Sequence, residues 1–180
     1  MYNNIMDTSS IMEKLSQSVD TCPLYDKWVL WAHLPHDTDW TLNSYKKIMI
    51  VNSVEEMVAL YSAIPEKLVM NCMLFIMREG INPMWEDPKN RQGGCFSFKV
   101  PNKMVHTVWK HLSYLLVGET LTNDPRLLKI INGITISPKK AFCIIKVWLK
   151  NCNMQNPAQL THVTGLSVHG CLFKKHKPEF

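Results

Sequence analysis

An unbroken run of five apolar residues, 28–32 (Trp-Val-Leu-Trp-Ala), constrains the fold of this chain more than any other segment. A strand with one face in solvent alternates apolar and polar side chains, whereas a continuous apolar run indicates a strand covered on both faces. We therefore expect residues 26–33 to form a strand inside a sheet. The chain has 180 residues, of which 46% are hydrophobic, so it is long enough for one domain with its own core.

Further patterns predict five more strands and three helices. The strands are expected at residues 45–51, 72–78, 95–100, 130–136 and 142–149. Ser53 followed by Glu56 is a capping box, which predicts a helix over residues 54–64. The longest helix is predicted over residues 102–117. A third is predicted over residues 156–169, because it opens with Asn-Pro, a favourable helix start.

These elements, joined by short turns, predict an α+β fold with an antiparallel sheet. The helices lie on one face of the sheet, and the other face is left for a ligand. Residues 1–21 are polar and predict a flexible N-terminal tail with a short helix at residues 11–15, and residues 22–180 are expected to form a single domain. The chain closes with a basic tail that contains Lys174, Lys175 and Lys177.

Charge, cysteine content and hydropathy indicate which ligands and which cellular compartments suit this chain. The net charge of +5 is compatible with a polyanionic ligand and equally with an ordinary solvated surface. The six cysteines form no C-x-x-C pair and match no zinc spacing, so we expect no metal and no cofactor. We expect no secretory signal, because residues 1–20 contain no basic region followed by an apolar run. We expect no membrane span, because the chain contains no apolar run of about 18 residues. Reduced thiols in the cytoplasm or nucleus are the simplest interpretation.

Trp85 and Glu86 stand side by side directly after a turn at Gly80. A tryptophan face binds a flat cationic ring by stacking and cation–π attraction. An ionised carboxylate only accepts hydrogen bonds, so it selects a ligand with N–H donors. Together they suit a positively charged base that carries donors on one edge. The chain has six tryptophans, more than core packing usually needs, which also favours a ring-binding site.

Several blocks recur along the chain in a definite order. They are Trp28-Val-Leu-Trp31, Asp39-Trp40, residues 54–61, Pro-Met-Trp-Glu-Asp at residues 83–87, Gly93-Gly94, Trp109, Gly118-Glu119, Trp148 and Thr161-His162. In these blocks, of which residues 83–87 are the most specific, the chain resembles the eukaryotic translation initiation factor 4E family of mRNA cap-binding proteins over about residues 23–172. The family implies a curved antiparallel sheet with three helices on its convex face and the cap on its concave face.

The resemblance implies four residues that bind the cap base. Trp40 and Trp85 match the pair that sandwiches N7-methylguanine, and Glu86 matches the carboxylate that accepts from its N–H donors. Trp148 matches the tryptophan that packs near the N7-methyl group. The alternative for Trp148 is a core role, since it lies in an apolar strand. Trp28, Trp31 and Trp109 match structural positions and are expected in the core.

The positions that match the family's phosphate site depart from its pattern. Of three usually basic positions, the first falls on Cys95, the second on Lys139 with Lys140 beside it, and the third on Ile144. Arg91 is expected to compensate, as are Lys89 and the lysines of the tail, because phosphate contacts need nearby charge more than one fixed geometry. Each of these cations can equally be a solvated surface charge.

The positions that match the family's partner-binding groove are also altered. This groove on the convex face binds a helical motif of the scaffold factor 4G and of repressor proteins. The matching positions are Pro23, Val54, Val58, Lys110, His111 and Tyr114, with Cys22 beside them. Val58 stands where a tryptophan is usual and His111 where a carboxylate is usual. A groove without that tryptophan lacks a typical anchor, so we expect a differently built scaffold or none.

Three functions remain open from the sequence. The first is a cap-binding initiation factor, not an enzyme, that recruits capped mRNA through a scaffold. The second is a cap-binding repressor or specialised paralogue, which is either cellular or carried by a virus or parasite. The third is a cap-processing hydrolase that uses Cys95 as nucleophile, for which no neighbouring base is evident.

Overall fold

The computed structural model describes residues 21–176, which form one seven-stranded antiparallel sheet. The strands are β1 (Pro23–His33), β2 (Tyr45–Ser53), β3 (Met73–Arg78), β4 (Gly94–Pro101), β5 (Ile131–Pro138), β6 (Phe142–Leu149) and β7 (Leu172–Lys175). Their order across the sheet is β2-β1-β3-β5-β6-β4-β7. The predicted antiparallel sheet is confirmed. The predicted tail, with its helix at residues 11–15, and Lys177 lie outside the described residues.

Two of the three predicted helices are present where expected. The α-helices are α1 (Val54–Ala63), α2 (Glu66–Asn71), α3 (Asn102–Val117) and α4 (Pro125–Leu128), and short 3-10 turns occupy Leu42–Ser44 and Pro157–Gln159. The capping box opens α1: the Ser53 hydroxyl accepts from the Glu56 amide at 3.2 Å, and the Glu56 carboxylate accepts from the Ser53 amide at 3.2 Å.

The helix predicted over residues 156–169 is wrong. Asn156 does cap a turn, but only the 3-10 turn at Pro157–Gln159 forms. Leu160 then makes a β-bridge with Thr122, and the Thr161 amide donates to the Leu121 carbonyl at 2.8 Å. These contacts take the backbone groups that a helix would need, and Gly165 adopts a φ of +91°. Tertiary contacts therefore override the local helix signal.

The main core lies between the sheet and its helices. Alternate strand residues such as Trp28, Leu30 and Ile76 point to this face and pack against α1, α2 and α3. Trp109 of α3 is fully buried there, and so is Trp28. The core roles predicted for these two tryptophans are confirmed, and so is the placement of the helices on one face.

The opposite, concave face carries a smaller apolar cluster. Phe75, Met77, Ile81 and Trp148 are buried together, and Trp31, Tyr45 and Met73 pack against them. This cluster explains why β1 is apolar at successive positions. Trp31 was expected in the core, but it belongs to this second cluster.

The basic tail predicted at the end of the chain is partly a strand. Lys174 and Lys175 lie in β7, which pairs with β4 at the sheet edge. The two strands approach closely at Gly94, where an added Cβ would lie 2.6 Å from the Lys174 carbonyl oxygen. A side chain at this position would therefore displace β7.

Candidate functional site

The loop that carries Trp85 is built around buried polar side chains. Asn90 is fully buried, and its amide group donates to the carbonyls of Asn82 at 3.0 Å and Met84 at 2.9 Å. Asn132 at the start of β5 donates to the Asn90 side-chain oxygen at 2.9 Å. Because these groups are satisfied away from water, the loop has little freedom to rearrange.

A buried carboxylate completes this scaffold. Asp87 is only 7% exposed and accepts from the amides of Asn82 at 3.0 Å and Lys89 at 2.8 Å. These two bonds close the turn on the protein side of Trp85 and Glu86. Trp85 remains 40% exposed, and Glu86 is exposed beside it.

The loop that carries Trp40 is held by exposed carboxylates. The Asp39 carboxylate accepts from the Thr41 amide at 2.8 Å and from the Thr41 hydroxyl at 3.0 Å, and these bonds hold the pKa of Asp39 below its ordinary value. The Asp37 carboxylate accepts from the Asp39 amide at 3.0 Å. Trp40, at the end of this chain of contacts, is 54% exposed.

One face of the Trp40 ring is covered by a histidine. His33, the last residue of β1, stacks on Trp40 with ring centroids 4.2 Å apart and planes inclined by 5°. Its Nε2 lies 2.9 Å from the Asp39 carbonyl oxygen, which only accepts, so Nε2 carries the proton. His33 itself is 2% exposed. Trp40 therefore has one covered face and one face open to a ligand.

Tyr45 packs on the concave face between His33 and Phe75. Its ring meets His33 edge-on at 5.2 Å and Phe75 edge-on at 5.4 Å. Burial raises the pKa of Tyr45, and the nearby charge of Glu86 raises it further. The charge of Glu86 therefore acts on a side chain that packs against His33. Tyr45 was not identified from the sequence, although it directly follows the Trp40 loop.

Trp148 is placed deeper than the other two predicted tryptophans. It is 6% exposed in the concave-face cluster, and its buried indole N–H has no hydrogen-bond partner within residues 21–176. His176 tilts against its ring at 4.5 Å, and the His176 Nδ1 lies 2.8 Å from the Asn90 carbonyl oxygen. Burial lowers the pKa of His176. Trp148 thus lines the floor of the site beside the Trp85 loop.

The predicted phosphate-binding residues lie at two exposed places. Lys139 and Lys140 are exposed at the hairpin between β5 and β6, and Arg91 is exposed in the Trp85 loop. Within the described residues, none of the three forms a cation–π contact with an aromatic ring.

Two other lysines lie nearer the floor of the site. Lys146 is two residues before Trp148 in β6, so both side chains point to the concave face. Lys174 pairs with Cys95, which in turn pairs with Trp148. Burial raises the pKa of the Cys95 thiol, while the charges of Lys146 and Lys174 act to lower it. The sequence interpretation missed Lys146, which strand alternation from Trp148 identifies.

The convex face carries an apolar groove at the positions predicted for a partner. Val54 and Val58 of α1 are 46% and 50% exposed. With Tyr114 of α3 they line a cavity of about 190 Å³. Pro23 and Val54 also line a neighbouring cavity of about 650 Å³. The Lys110 ammonium lies 5.7 Å from the Tyr114 ring centroid, and His111 is exposed beside them.

Metal binding and the nucleophile suggested for a hydrolase can be compared with the described residues. Residues 21–176 contain no group of three or more His, Cys, Asp or Glu side chains that could hold a metal ion. The raised pKa of Cys95 keeps its thiol protonated, which makes it a poor nucleophile. None of the helices in this part of the chain is long and apolar enough to cross a membrane.

Comparison with known proteins gives consistent results. The family model of eukaryotic initiation factor 4E matches residues 23–175. The eukaryotic translation initiation factor 4E of Candida albicans is 25% identical over 158 residues, which cover 82% of this chain and 74% of that protein. A homologue of factor 4E from Acanthamoeba polyphaga mimivirus is 48% identical over 62 residues, which cover 34% of this chain and 23% of that protein.

A solved structure has the same fold. Factor 4E-3 of Caenorhabditis elegans, in complex with the 4E-binding protein Mextli and a cap analogue, superposes with a TM-score of 0.71 at 20% identity. The match covers 89% of this chain and 98% of that chain, and confirms the curved sheet with helices on its convex face. The chain spans a smaller part of some curated relatives, for example 56% of factor 4E-2 of Schizosaccharomyces pombe.

Proposed function

Because the chain belongs to the eukaryotic initiation factor 4E family, we propose that it binds the N7-methylguanosine cap of mRNA and acts in translation initiation. The observation that carries this proposal is the pair of exposed rings, Trp40 and Trp85, on two loops, with the carboxylate of Glu86 directly beside Trp85. Such rings attract a flat cationic base. Glu86 accepts hydrogen bonds from the N1–H and exocyclic amine of guanine, a donor pair that adenine lacks.

The triphosphate of the cap is bound by lysines on the concave face. Lys146 and Lys174 take this role in place of the predicted Lys139, Lys140 and Arg91, because they lie beside the strand that carries Trp148. Their charge positions the phosphates without selecting the base. Lys146→Gln is therefore expected to weaken N7-methyl-GTP binding while leaving N7-methylguanosine, which has no phosphate, almost unaffected.

The convex groove binds a helical segment of a scaffold protein of the factor 4G kind or of a repressor. Its apolar lining at Val54, Val58 and Tyr114 suits the apolar side of a helix. In this way capped mRNA is delivered by binding alone, without catalysis, in the cytoplasm. The solved relative from C. elegans contains both a cap analogue and a 4E-binding protein, which supports the proposal that one protein of this fold binds both kinds of partner.

A cap-binding repressor or specialised paralogue is the second candidate, and the groove itself favours it. Val58 provides a small side chain where a tryptophan would anchor a partner, and the exposed His111 replaces a carboxylate. A pull-down with an ordinary 4G-type peptide separates the two functions. Tight binding supports the initiation factor, whereas no binding, in a protein that still binds the cap, supports the specialised role.

The cap proposal is tested by fluorescence-quenching titration with N7-methyl-GTP and GTP. We expect the wild type to prefer the methylated nucleotide, and Glu86→Ala and Trp40→Ala to lose affinity for it. The exposed Glu79→Ala in the neighbouring turn is the matched control and is expected to bind like the wild type. Equal affinity of the wild type for both nucleotides would overturn the proposal.

A further inference from the structure

Trp40 differs from Trp85, its predicted partner in the sandwich, because a histidine covers one face of its ring. His33 lies parallel to the indole at 4.2 Å and is itself 2% exposed, so it cannot be replaced there by water or ligand without moving β1. The other face of Trp40 is open. A cationic base on the open face and the imidazole on the covered face would both interact with the π-electrons of the same indole ring.

We propose that His33 is a positioning and specificity residue of this site: its neutral ring holds Trp40 as one wall of the base sandwich, and its protonation weakens the preference for the N7-methylated base. The inference rests on the proposed cap binding. Cation–π attraction draws on the negative face of the ring, and a second cation against the opposite face competes for it. Uncharged guanine is affected less, so methyl selectivity falls more than affinity for GTP.

One ring nitrogen of His33, Nδ1, is the site at which a second proton would bind. The Nε2 proton is donated to the Asp39 carbonyl, so a second proton is taken up at Nδ1. Imidazole is the side chain that ordinarily changes charge between pH 5 and 8. The titratable groups facing the ring are Tyr45, which meets it edge-on, and Asp39, while its β3 neighbour Met73 carries no charge. Lys46 lies near Asp39 and adds positive charge to this loop.

The test compares the ratio of GTP to N7-methyl-GTP dissociation constants at pH 7.5 and pH 5.5. His33→Phe keeps a flat ring against Trp40 but cannot be protonated. We expect the wild-type ratio to fall by roughly fivefold more than that of His33→Phe, on the scale of one cation–π contact. Ionisation of the ligand and of His176 is common to both proteins and cancels in this comparison. His36→Asn, which removes an exposed histidine from the same loop, is the control and is expected to follow the wild type.

A second measurement uses the wild-type protein alone. If protonation of His33 weakens binding of the cationic base, then binding of that base must also disfavour protonation of His33. The NMR titration midpoint of the His33 ring, assigned through its contacts with Trp40 and Tyr45, is expected to move to lower pH with saturating N7-methyl-GTP and to move less with GTP.

The outcomes distinguish failure of the cap proposal from failure of the role proposed for His33. A wild type without methyl preference at pH 7.5 overturns the cap proposal itself. A clear methyl preference whose pH profile is the same in wild type and His33→Phe, or a His33 midpoint that the ligand does not move, overturns the role of His33 and leaves cap binding intact.

Discussion

The two loops that present Trp85 and Trp40 are built in opposite ways. The Trp85 loop closes around Asn90 and Asp87, which are buried and satisfied by backbone groups. The Trp40 loop depends on the carboxylates of Asp37 and Asp39 and on His33, which stacks on Trp40 and donates a hydrogen bond to the Asp39 carbonyl. Buried polar networks are costly to disturb, whereas exposed hydrogen bonds compete with water. One wall of the site is therefore preformed, and the other is adjustable.

The largest effect is expected from Asn90→Ala in the preformed wall. The substitution removes three buried hydrogen bonds, two to the carbonyls of Asn82 and Met84 and one from the amide of Asn132, although each of these groups keeps another partner. A hydrogen bond of this kind contributes about 1 kcal/mol, so we expect the free energy of unfolding to fall by about 3 kcal/mol. Urea denaturation measures this change. The exposed Asn123→Ala is the control, and equal midpoints for the two variants would mean that the network does not support the loop.

The next effect is on affinity and tests both walls at once. Trp85→Ala and Trp40→Ala each remove one stacking ring, which is worth roughly 1–3 kcal/mol per base. Both variants are expected to bind N7-methyl-GTP roughly tenfold to a hundredfold more weakly, as measured by titration calorimetry. Because both rings are largely exposed, urea midpoints should change little. A variant that loses affinity by unfolding instead would show that its tryptophan is a structural residue.

The sequence identified the parts of this site that are local. The exposed Trp85 and Glu86 follow a turn that the sequence marks with Gly80, and the capping box at Ser53 correctly opened α1. The family and the antiparallel sheet with helices on one face were confirmed. The roles of the site residues stay predictions.

What the sequence did not indicate depends on how the chain folds back on itself. His33 stacks on Trp40 only because a loop folds back on β1, and Lys174 reaches the floor of the site only because β7 pairs with β4. The coil after Asn156 also results from a contact between two segments, since the bridge from Leu160 to Thr122 forms in place of a locally favoured helix. Lys146 differs, because its spacing from Trp148 was readable from the strand pattern.

The smallest effect is expected from Asp39→Asn in the adjustable wall. Its carboxylate orients the loop through Thr41, whose backbone and hydroxyl both donate to it, and these bonds lower its pKa. A carboxyl with a lowered pKa contributes above its ordinary value of 3.8 and loses that contribution as pH falls through the lower, folded-state value. The contribution of Asp39 is therefore complete at both pH 7.5 and pH 5.5, and it does not interfere with the window in which His33 is tested.

At neutral pH we expect Asp39→Asn to weaken N7-methyl-GTP binding less than Trp40→Ala does, because water can replace exposed hydrogen bonds. Thr41→Val, which removes only the hydroxyl donor, should have a smaller effect still. Fluorescence titration of the three variants gives this order directly. If Asp39→Asn lost as much affinity as Trp40→Ala, the Asp39 carboxylate would contact the ligand itself. The Trp40 loop would then recognise the ligand through a charge as well as through the ring that His33 supports.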